Sequence, residues 1–320
     1  KLMHELAKIL RAEKISRGYI DFGIDEAKVI QDEKGKAIDI VKRVQGTGEK
    51  LIEDFMIAAN ETVATHISNM DLPFIYRVHD LPNSDKIEDF SNLLKQLGYH
   101  LNVNMNSLTP KTMQQILNEL RDKDEFMILS DMLLRSMKKA IYSTNNIGHF
   151  GLASKNYTHF TSPIRRFPDL TVHRLLRTYL FENRIDMETI NFNAKYLIDV
   201  AEHSSETEVN AIEAEREVLD MKMAEYMEDH IGEEYDGIIS GVTNFGLFIE
   251  LSNLVEGLVH ISTLPGYFEH VPELLSLVSS DKKTKYRIGD KVRVKVINAN
   301  KDQKIIDFEL VKEDKDGNKK

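Results

Sequence analysis

The chain has 320 residues, a net charge of -10, 42% hydrophobic and 29% charged residues, and no cysteine. This is the composition of ordinary globular domains, long enough for two of them or three. Disulfides, thiolate nucleophiles and cysteine-ligated zinc are excluded, and no apolar run approaches the ~20 residues that a membrane span needs.

The chain opens with KLMHELAKILRAEK, amphipathic and charged, without the apolar core of a signal peptide, so a cytoplasmic setting is expected. Leu2, Met3, Leu6, Ile9 and Leu10 recur at helical spacing, which predicts a helix over Leu2–Ala12, broken by Gly18. Lys28–Ile30 and Ala37–Val41 flank Asp32-Glu33-Lys34-Gly35 and read as a β-hairpin. Gly46-Thr47-Gly48 opens the next helix, whose stripe Leu51, Ile52, Phe55, Met56, Ala59, Val63 and Ile67 marks it as a core helix. A short strand, Phe74–Val78, follows Pro73. Helices are predicted over Ser84–Leu97, Pro110–Leu120 and Phe126–Met137, with a loop at Asn102–Ser107. Ala140–Ser143 and His149–Gly151 read as short extended pieces. A helix from Pro168 to near Phe181 comes next, then a long charged helix from about Asn193 to His230.

After Gly232 the texture changes. Tyr235–Ile239, Leu247–Glu250, Gly257–His260, Lys291–Ile297 and Ile305–Leu310 are β-rich runs broken by Gly, Asn and Asp, which predicts a five-stranded barrel of the OB type. The division falls at Ile231–Glu234: residues 1–231 form an α+β unit with helices on a mixed sheet, 232–312 the barrel, and 313–320 a charged, disordered tail.

The stretch Thr158–Leu176, THFTSPIRRFPDLTVHRLL, sets Arg165, Arg166, Arg174, His159 and His173 against one acid, Asp169. Pro168 suits the first turn of a helix, with Ser162-Pro163 as a turn before it. Amides free at that helix start and the guanidinium groups before it can converge on a phosphodiester. The alternative is a helix N-terminus with solvated basic neighbours. In the barrel, Phe245 and Phe248 bracket Gly246. If the glycine makes a bulge or close approach, both rings share one exposed face and can stack nucleobases, with His260 nearby. Burial of the two rings in the barrel core, and a purely structural His260, are the competing readings. Lys282, Lys283, Lys285, Arg287, Lys291, Arg293, Lys295, Lys301 and Lys304 gather against Asp290 and Asp302 alone, a positive funnel in an acidic chain.

TSPIRRFPDLTVHRLL closely resembles the signature of the RNB exoribonucleases, the RNase II and RNase R family. RGYIDF (Arg17–Phe22), IEDFMIAAN (Ile52–Asn60), YRVHDLP (Tyr76–Pro82), HFGLA (His149–Ala153) and EAEREV (Glu213–Val218) extend the likeness over nearly all of Leu2–Glu228. GIISGVTNFGLFIEL followed by VEGLVHIS resembles the S1 RNA-binding module over about Glu233–Val311.

The resemblance implies a 3′→5′ exoribonuclease, more RNase R-like than RNase II-like, that hydrolyses single-stranded RNA processively to nucleoside 5′-monophosphates with two Mg²⁺ ions. It makes Arg165 the catalytic residue that grips the scissile phosphate, where a permanently charged fork suits two phosphate oxygens. It places Glu53 against the ribose hydroxyls of the terminal nucleotide, Glu215 near the same channel end, and Phe22 where the nucleotide stack closes. Arg166 and His173 are candidate phosphate contacts, with a local ion pair to Asp169 as the alternative. Phe245, Phe248, His260, Arg293 and Lys295 are the RNA contacts expected on the barrel. The family's metal aspartates lie upstream of RGYIDF. Asp21, Asp25 and Asp32 do not reproduce them, so the Mg²⁺ ligands are expected before Lys1, in a longer protein. Single-stranded RNA is the expected partner, with the ribosome or RNA-decay machinery as further partners and no membrane. The other reading is a catalytically inactive RNA-binding fragment. A third, a ribosome-associated factor using the barrel alone, leaves the Thr158–Leu176 motif without a purpose.

Overall fold

The computed structural model describes residues 1–23, 25–99, 108–123, 126–271 and 275–311. The predicted loop at Asn102–Ser107 and the tail from Lys312 lie outside them. The architecture is α+β followed by a closed five-stranded barrel.

Helix α1 (Leu2–Arg17) ends at Gly18, whose φ of 106° is left-handed and whose added Cβ would lie 2.7 Å from the Lys111 backbone nitrogen. Only glycine permits both the turn and that approach. The buried positions of α1 are Ala7 and Lys14, while Leu2, Met3, Leu6 and Ile9 are exposed. The apolar stripe that predicted the helix therefore does not face its packed side. Strands β1 (Ala27–Gln31) and β2 (Ala37–Lys42) form the predicted hairpin, with Asp32 accepting from the Lys34 and Lys36 amides at its turn.

Helix α2 (Thr47–Asn69) departs from the core-helix expectation in its first half: Ile52 is half exposed, and the buried side chains include Asp54 and Asn60. Two polar groups at buried positions of a packed helix signal a network rather than a core, because each must be hydrogen-bonded or paired. Strand β3 (Tyr76–Val78) is followed by α3 (Ser84–Gln96), capped by the Asn83 side chain, then α4 (Pro110–Leu120), capped by Thr109, and α5 (Phe126–Ser136). Phe90, Met113, Ile116, Leu117, Leu120, Leu129 and Leu133 close a core between these helices.

Strand β4 (Ile141–Ser143) pairs antiparallel with β3. The expected extended piece at His149–Gly151 is instead a single bridge residue followed by a 3-10 turn at Phe150–Leu152, because the His149 ring caps the Leu152 amide. Helix α6 (Phe167–Leu176) places Pro168 in its first turn and relaxes into a π turn over Arg177–Phe181. Helix α7 (Met187–Glu228) starts before the predicted Asn193, because Asp186 caps the Thr189 amide. Its 42 residues span about 63 Å. Its first half packs with α2, β3 and α6, and its last turns, Met223, Ala224 and Met227, pack into the barrel together with Ile40 of β2. The β1–β2 hairpin thus shares its core with the C-terminal unit.

The barrel joins β5 (Glu234–Thr243), β6 (Gly246–Leu251), β7 (Glu256–His260), β11 (Lys291–Asn300) and β12 (Ile305–Leu310), with β12 parallel to β7 closing it. Between β7 and β11 lies a small antiparallel sheet that the sequence pattern did not reveal: β8 (Phe268–Val271), β9 (Ser276–Ser279) and β10 (Lys285–Arg287). Ile239, Leu247, Ile249, Val259, Val294, Val296 and Phe308 are essentially sealed from solvent in the barrel. Each contributes on the order of 1.5–3 kcal/mol by burial. Among the described residues no helix is long and apolar enough to cross a membrane.

Gly246 lies where β6 crosses β7 closely: a Cβ there would sit 2.3 Å from the Val259 carbonyl oxygen. G246A is expected to cost about 2 kcal/mol or more. Urea denaturation followed by circular dichroism measures this, and an unchanged midpoint would contradict the close approach.

Candidate functional site

The site grows from a chain segment pinned at both ends. Thr158 Oγ1 donates to the Ile75 carbonyl at 2.7 Å, and the Arg77 amide donates to the Tyr157 carbonyl, so Tyr157–Thr158 runs beside β3. Asn60 of α2 holds the same segment with both ends of its amide: Nδ2 donates to the Tyr157 hydroxyl and Oδ1 accepts from the Phe160 amide, each at 3.0 Å. The chain then turns, the Arg165 and Arg166 amides donating to the Ser162 carbonyl, and α6 begins.

Asp169 fixes this turn. Its carboxylate is 0% exposed. Oδ1 accepts from the Ser162 amide and the Arg166 guanidinium, both at 2.7 Å, and Oδ2 accepts from Arg166 Nε at 2.8 Å. The bidentate fork consumes most of Arg166, so the ion-pair alternative for that residue is the one the fold adopts. His173 does not pair with Asp169. Its Nε2 lies 2.9 Å from the Phe160 carbonyl and its ring stacks on Phe160 at 4.3 Å, away from Asp169. Arg165, one residue earlier, is exposed and has no ion pair or side-chain hydrogen bond among the described residues. A tethered arginine thus stands next to an unengaged one.

Arg166 also lines a cavity of about 650 Å³ with Tyr19, Arg43, Glu53, Asn60 and Tyr157. This brings Glu53 and Arg166 to one space, which Arg165 does not line. Glu53 is anchored by Lys14, whose ammonium lies 3.1 Å from Glu53 Oε1. The Tyr157 phenol is pushed up from its ordinary range by burial, so its hydroxyl stays protonated. A larger cavity of about 1290 Å³, between the hairpin, α5 and the barrel, is lined by Asp25, Asp131, Asp236, Glu250, Glu256 and Glu309 and by Lys42, Arg135, Lys291 and Arg293. Its acids outnumber its bases and pair with three of them, and the smaller cavity is the better candidate for a phosphate.

Other expected contacts lie elsewhere. Phe22 is half-buried and packs against the α3–α5 core, which accounts for it without a ligand. Glu215 sits on the stretch 210–218 of α7, exposed on all sides. On the barrel, Phe245 is 43% exposed and meets the half-buried Phe248 edge to face at 5.9 Å, with His260 directly opposite Gly246 across the β6–β7 ladder. His260 Nδ1 lies 2.6 Å from Ser262 Oγ and caps the following turn, so its ring is held at that face. Lys295 is exposed, opposite Glu234 and Glu309.

Arg293 is a correction. It is paired with Glu234 and Asp236 at 3.0 and 2.9 Å. Lys301 and Lys304 reach Glu225 and Glu217 of α7. The positive funnel is smaller than the sequence suggested, because acids from β5 and α7 fold onto it.

Sequence reasoning missed a buried aromatic and histidine line: Tyr142 OH lies 2.8 Å from His159 Nδ1, and the His149, Tyr157 and His159 rings follow edge to face. Burial, then the charges of Arg166 and Arg77, press His159 down to about 2. Burial, then His79, presses His149 down to about 3. Only the density of His and Tyr around residues 142–159 hinted at this.

Asp21, Asp25 and Asp32 take separate partners: the Gly23 amide, Lys42, and the hairpin turn. Among the described residues no group of three or more His, Asp or Glu is placed to hold a metal ion. The donors described here therefore do not fit a metal site, and what these residues offer is charge, hydrogen bonding and shape.

The structure thus shows an exposed arginine next in sequence to one that lines a cavity, and a barrel with an aromatic face. A family model described as RNB domain matches residues 1–182, and one described as S1 RNA binding domain matches 228–310. The chain belongs to the RNB family. It is 48% identical over 312 residues to Ribonuclease R 1 of Lactococcus lactis, covering 97% of this chain and 38% of that protein. With Ribonuclease R of Thermotoga maritima the identity is 45%, covering 98% and 44%. Among solved structures, apo RNase R of Mycoplasma genitalium superposes with a TM-score of 0.91 at 32% identity, covering 97% of this chain and 49% of that one. The same protein has been solved with ribose methylated single-stranded RNA, with the same score and coverage. This chain thus spans about two fifths of the length of these curated relatives.

The buried histidines set a pH dependence. The unfolded chain takes up their protons as pH falls below the ordinary value of 6.5, while the folded chain resists until about 3 and 2. Stability is therefore full above 6.5 and declines below it, on the order of 1 kcal/mol per pH unit per histidine. Urea midpoints measured between pH 7 and 5 should fall, and H159Q should flatten the slope. A slope identical in the variant would place the proton uptake elsewhere.

Proposed function

We propose that this chain guides RNA in a 3′→5′ exoribonuclease of the RNase R type, which hydrolyses single-stranded RNA processively to nucleoside 5′-monophosphates. The observation that carries the reading is Arg165. It is exposed and unpaired, on the turn that Asp169 fixes, and next in sequence to Arg166, which lines the cavity with Glu53. A guanidinium so placed is complementary to the charge that grows on phosphoryl oxygens in the transition state. Glu53 supplies an acceptor for ribose hydroxyls, and the Tyr157 hydroxyl a donor at the same wall. The Phe245–Phe248 face engages upstream bases by stacking, which is tolerant of sequence. The relatives' names and the RNA-bound structure support the reading.

Magnesium belongs to the same proposal. It would supply activation of water and stabilisation of the leaving oxygen. A cytoplasmic setting, and contacts with the ribosome or RNA-decay machinery, are part of the proposal as well. The second reading, an RNA-binding chain without catalysis, is favoured by the dispersal of Asp21, Asp25 and Asp32 among unrelated local partners.

A time course on 5′-labelled single-stranded RNA with magnesium, run for this chain and for the whole protein, separates the two. Shortening from the 3′ end by the whole protein is expected, and R165A should slow it about 100- to 1000-fold while changing affinity little. Wild-type turnover in R165A would remove the assigned role. For the barrel, F248A is expected to weaken binding of a short single-stranded RNA about tenfold in fluorescence anisotropy. Unchanged affinity would return Phe248 to the core.

A further inference from the structure

We infer that Lys14, a buried residue of α1, is a positioning residue that sets the ribose selectivity of the cavity by holding the Glu53 carboxylate in place. The inference rests on the reading of Glu53 as the ribose contact and adds the group that makes that contact work.

Lys14 is only 4% exposed, a rare position for a lysine unless it is paired. Its ammonium lies 3.1 Å from Glu53 Oε1, 3.1 Å from Asp54 Oδ1 and 4.0 Å above the centre of the Tyr19 ring. Arg11, one turn earlier, reaches Asp54 Oδ2 at 2.7 Å and also donates to the Lys50 carbonyl. The four charged groups sum to zero, but the two carboxylates are not equivalent. Asp54 is 2% exposed and held by both cations, so it is spent on the packing of α1 against α2. Glu53 is 36% exposed, lines the cavity, and has Lys14 as its cation. One oxygen of Glu53 is thus fixed by Lys14, on a side chain that lines the cavity.

Removing Lys14 leaves two adjacent carboxylates with one cation, and that cation lies on Asp54. The like charges then oppose each other, and Glu53 loses its fixed orientation. A mobile Glu53 is a poor acceptor for a ribose hydroxyl. A mere packing role for Lys14 would instead lower stability and leave selectivity intact.

The test uses the 320-residue chain and two 5′-labelled tetranucleotides, one all-ribose and one with a 2′-deoxy sugar at its 3′ end, in fluorescence anisotropy. The barrel's contribution is the same for both. Wild type is expected to prefer the ribose end by about tenfold, the scale of one hydrogen bond to a charged group. K14M should bring the two within about twofold, and K14R should restore the preference. R11Q, which disturbs the same helix pair but not the hold on Glu53, should keep it. If K14M does not fold, K14M/D54N also removes the like charge beside Glu53, restores the charge balance of the group, and should show the same loss. Tenfold preference retained in K14M, or lost equally in R11Q, overturns the role of Lys14 while the reading of Glu53 stands. If wild type itself shows no preference, the reading of Glu53 fails first and the inference with it.

Discussion

Everything at the site depends on one buried carboxylate. Asp169 is sealed from solvent and set against the Arg166 guanidinium and an amide, a costly arrangement unless every oxygen is satisfied. All three bonds are made within eight residues, so the carboxylate converts Ser162–Asp169 into a closed turn. That closure starts α6 where it starts, and it releases Arg165 by consuming Arg166. The buried pair contributes geometry more than stability, since an apolar replacement of similar shape would give up the turn.

The turn is in turn pinned to the core. Asn60 and Ile75 hold the segment before it, and His173 returns from α6 to the Phe160 carbonyl. A ligand at Arg165 therefore presses on α2, β3 and α6 together. Helix α7 carries that frame to the barrel: Arg77 grips Glu208 near its middle, and its last turns enter the barrel core beside the β1–β2 hairpin. Several cations are already answered, as Arg77, Arg166, Arg293, Lys301 and Lys304 illustrate. Arg165 keeps a charge that no ion pair cancels at contact range.

The sequence made the barrel strands and the α6 start readable, since period-2 runs, turn residues and Pro168 act locally. Its motifs also named Arg166 and Glu53, which the fold brings to one cavity. It did not reveal which arginine is spent, because Asp169 lies three residues from Arg166 and four from Arg165, and spacing alone does not choose. Lys14 looked like any charged helix residue: its burial depends on two carboxylates 39 and 40 positions away. The apolar stripe of α1 gave the helix but the wrong packed face. Arg293 looked free because its partners stand on another strand, and the β8–β10 sheet was hidden because its strands are only three or four residues long.

The most direct test of this account observes the two arginines separately. In a ¹⁵N-labelled sample, the side-chain Nε–H signals of Arg165 and Arg166 are assigned with R165K and R166K and followed as a short single-stranded RNA is added. The account predicts a slowly exchanging Arg166 signal, protected by Asp169 before RNA arrives and little moved by it, and an Arg165 signal that becomes visible or shifts on binding. Movement of Arg166 with an indifferent Arg165 would contradict it, because the buried carboxylate would then not decide which arginine meets the phosphate.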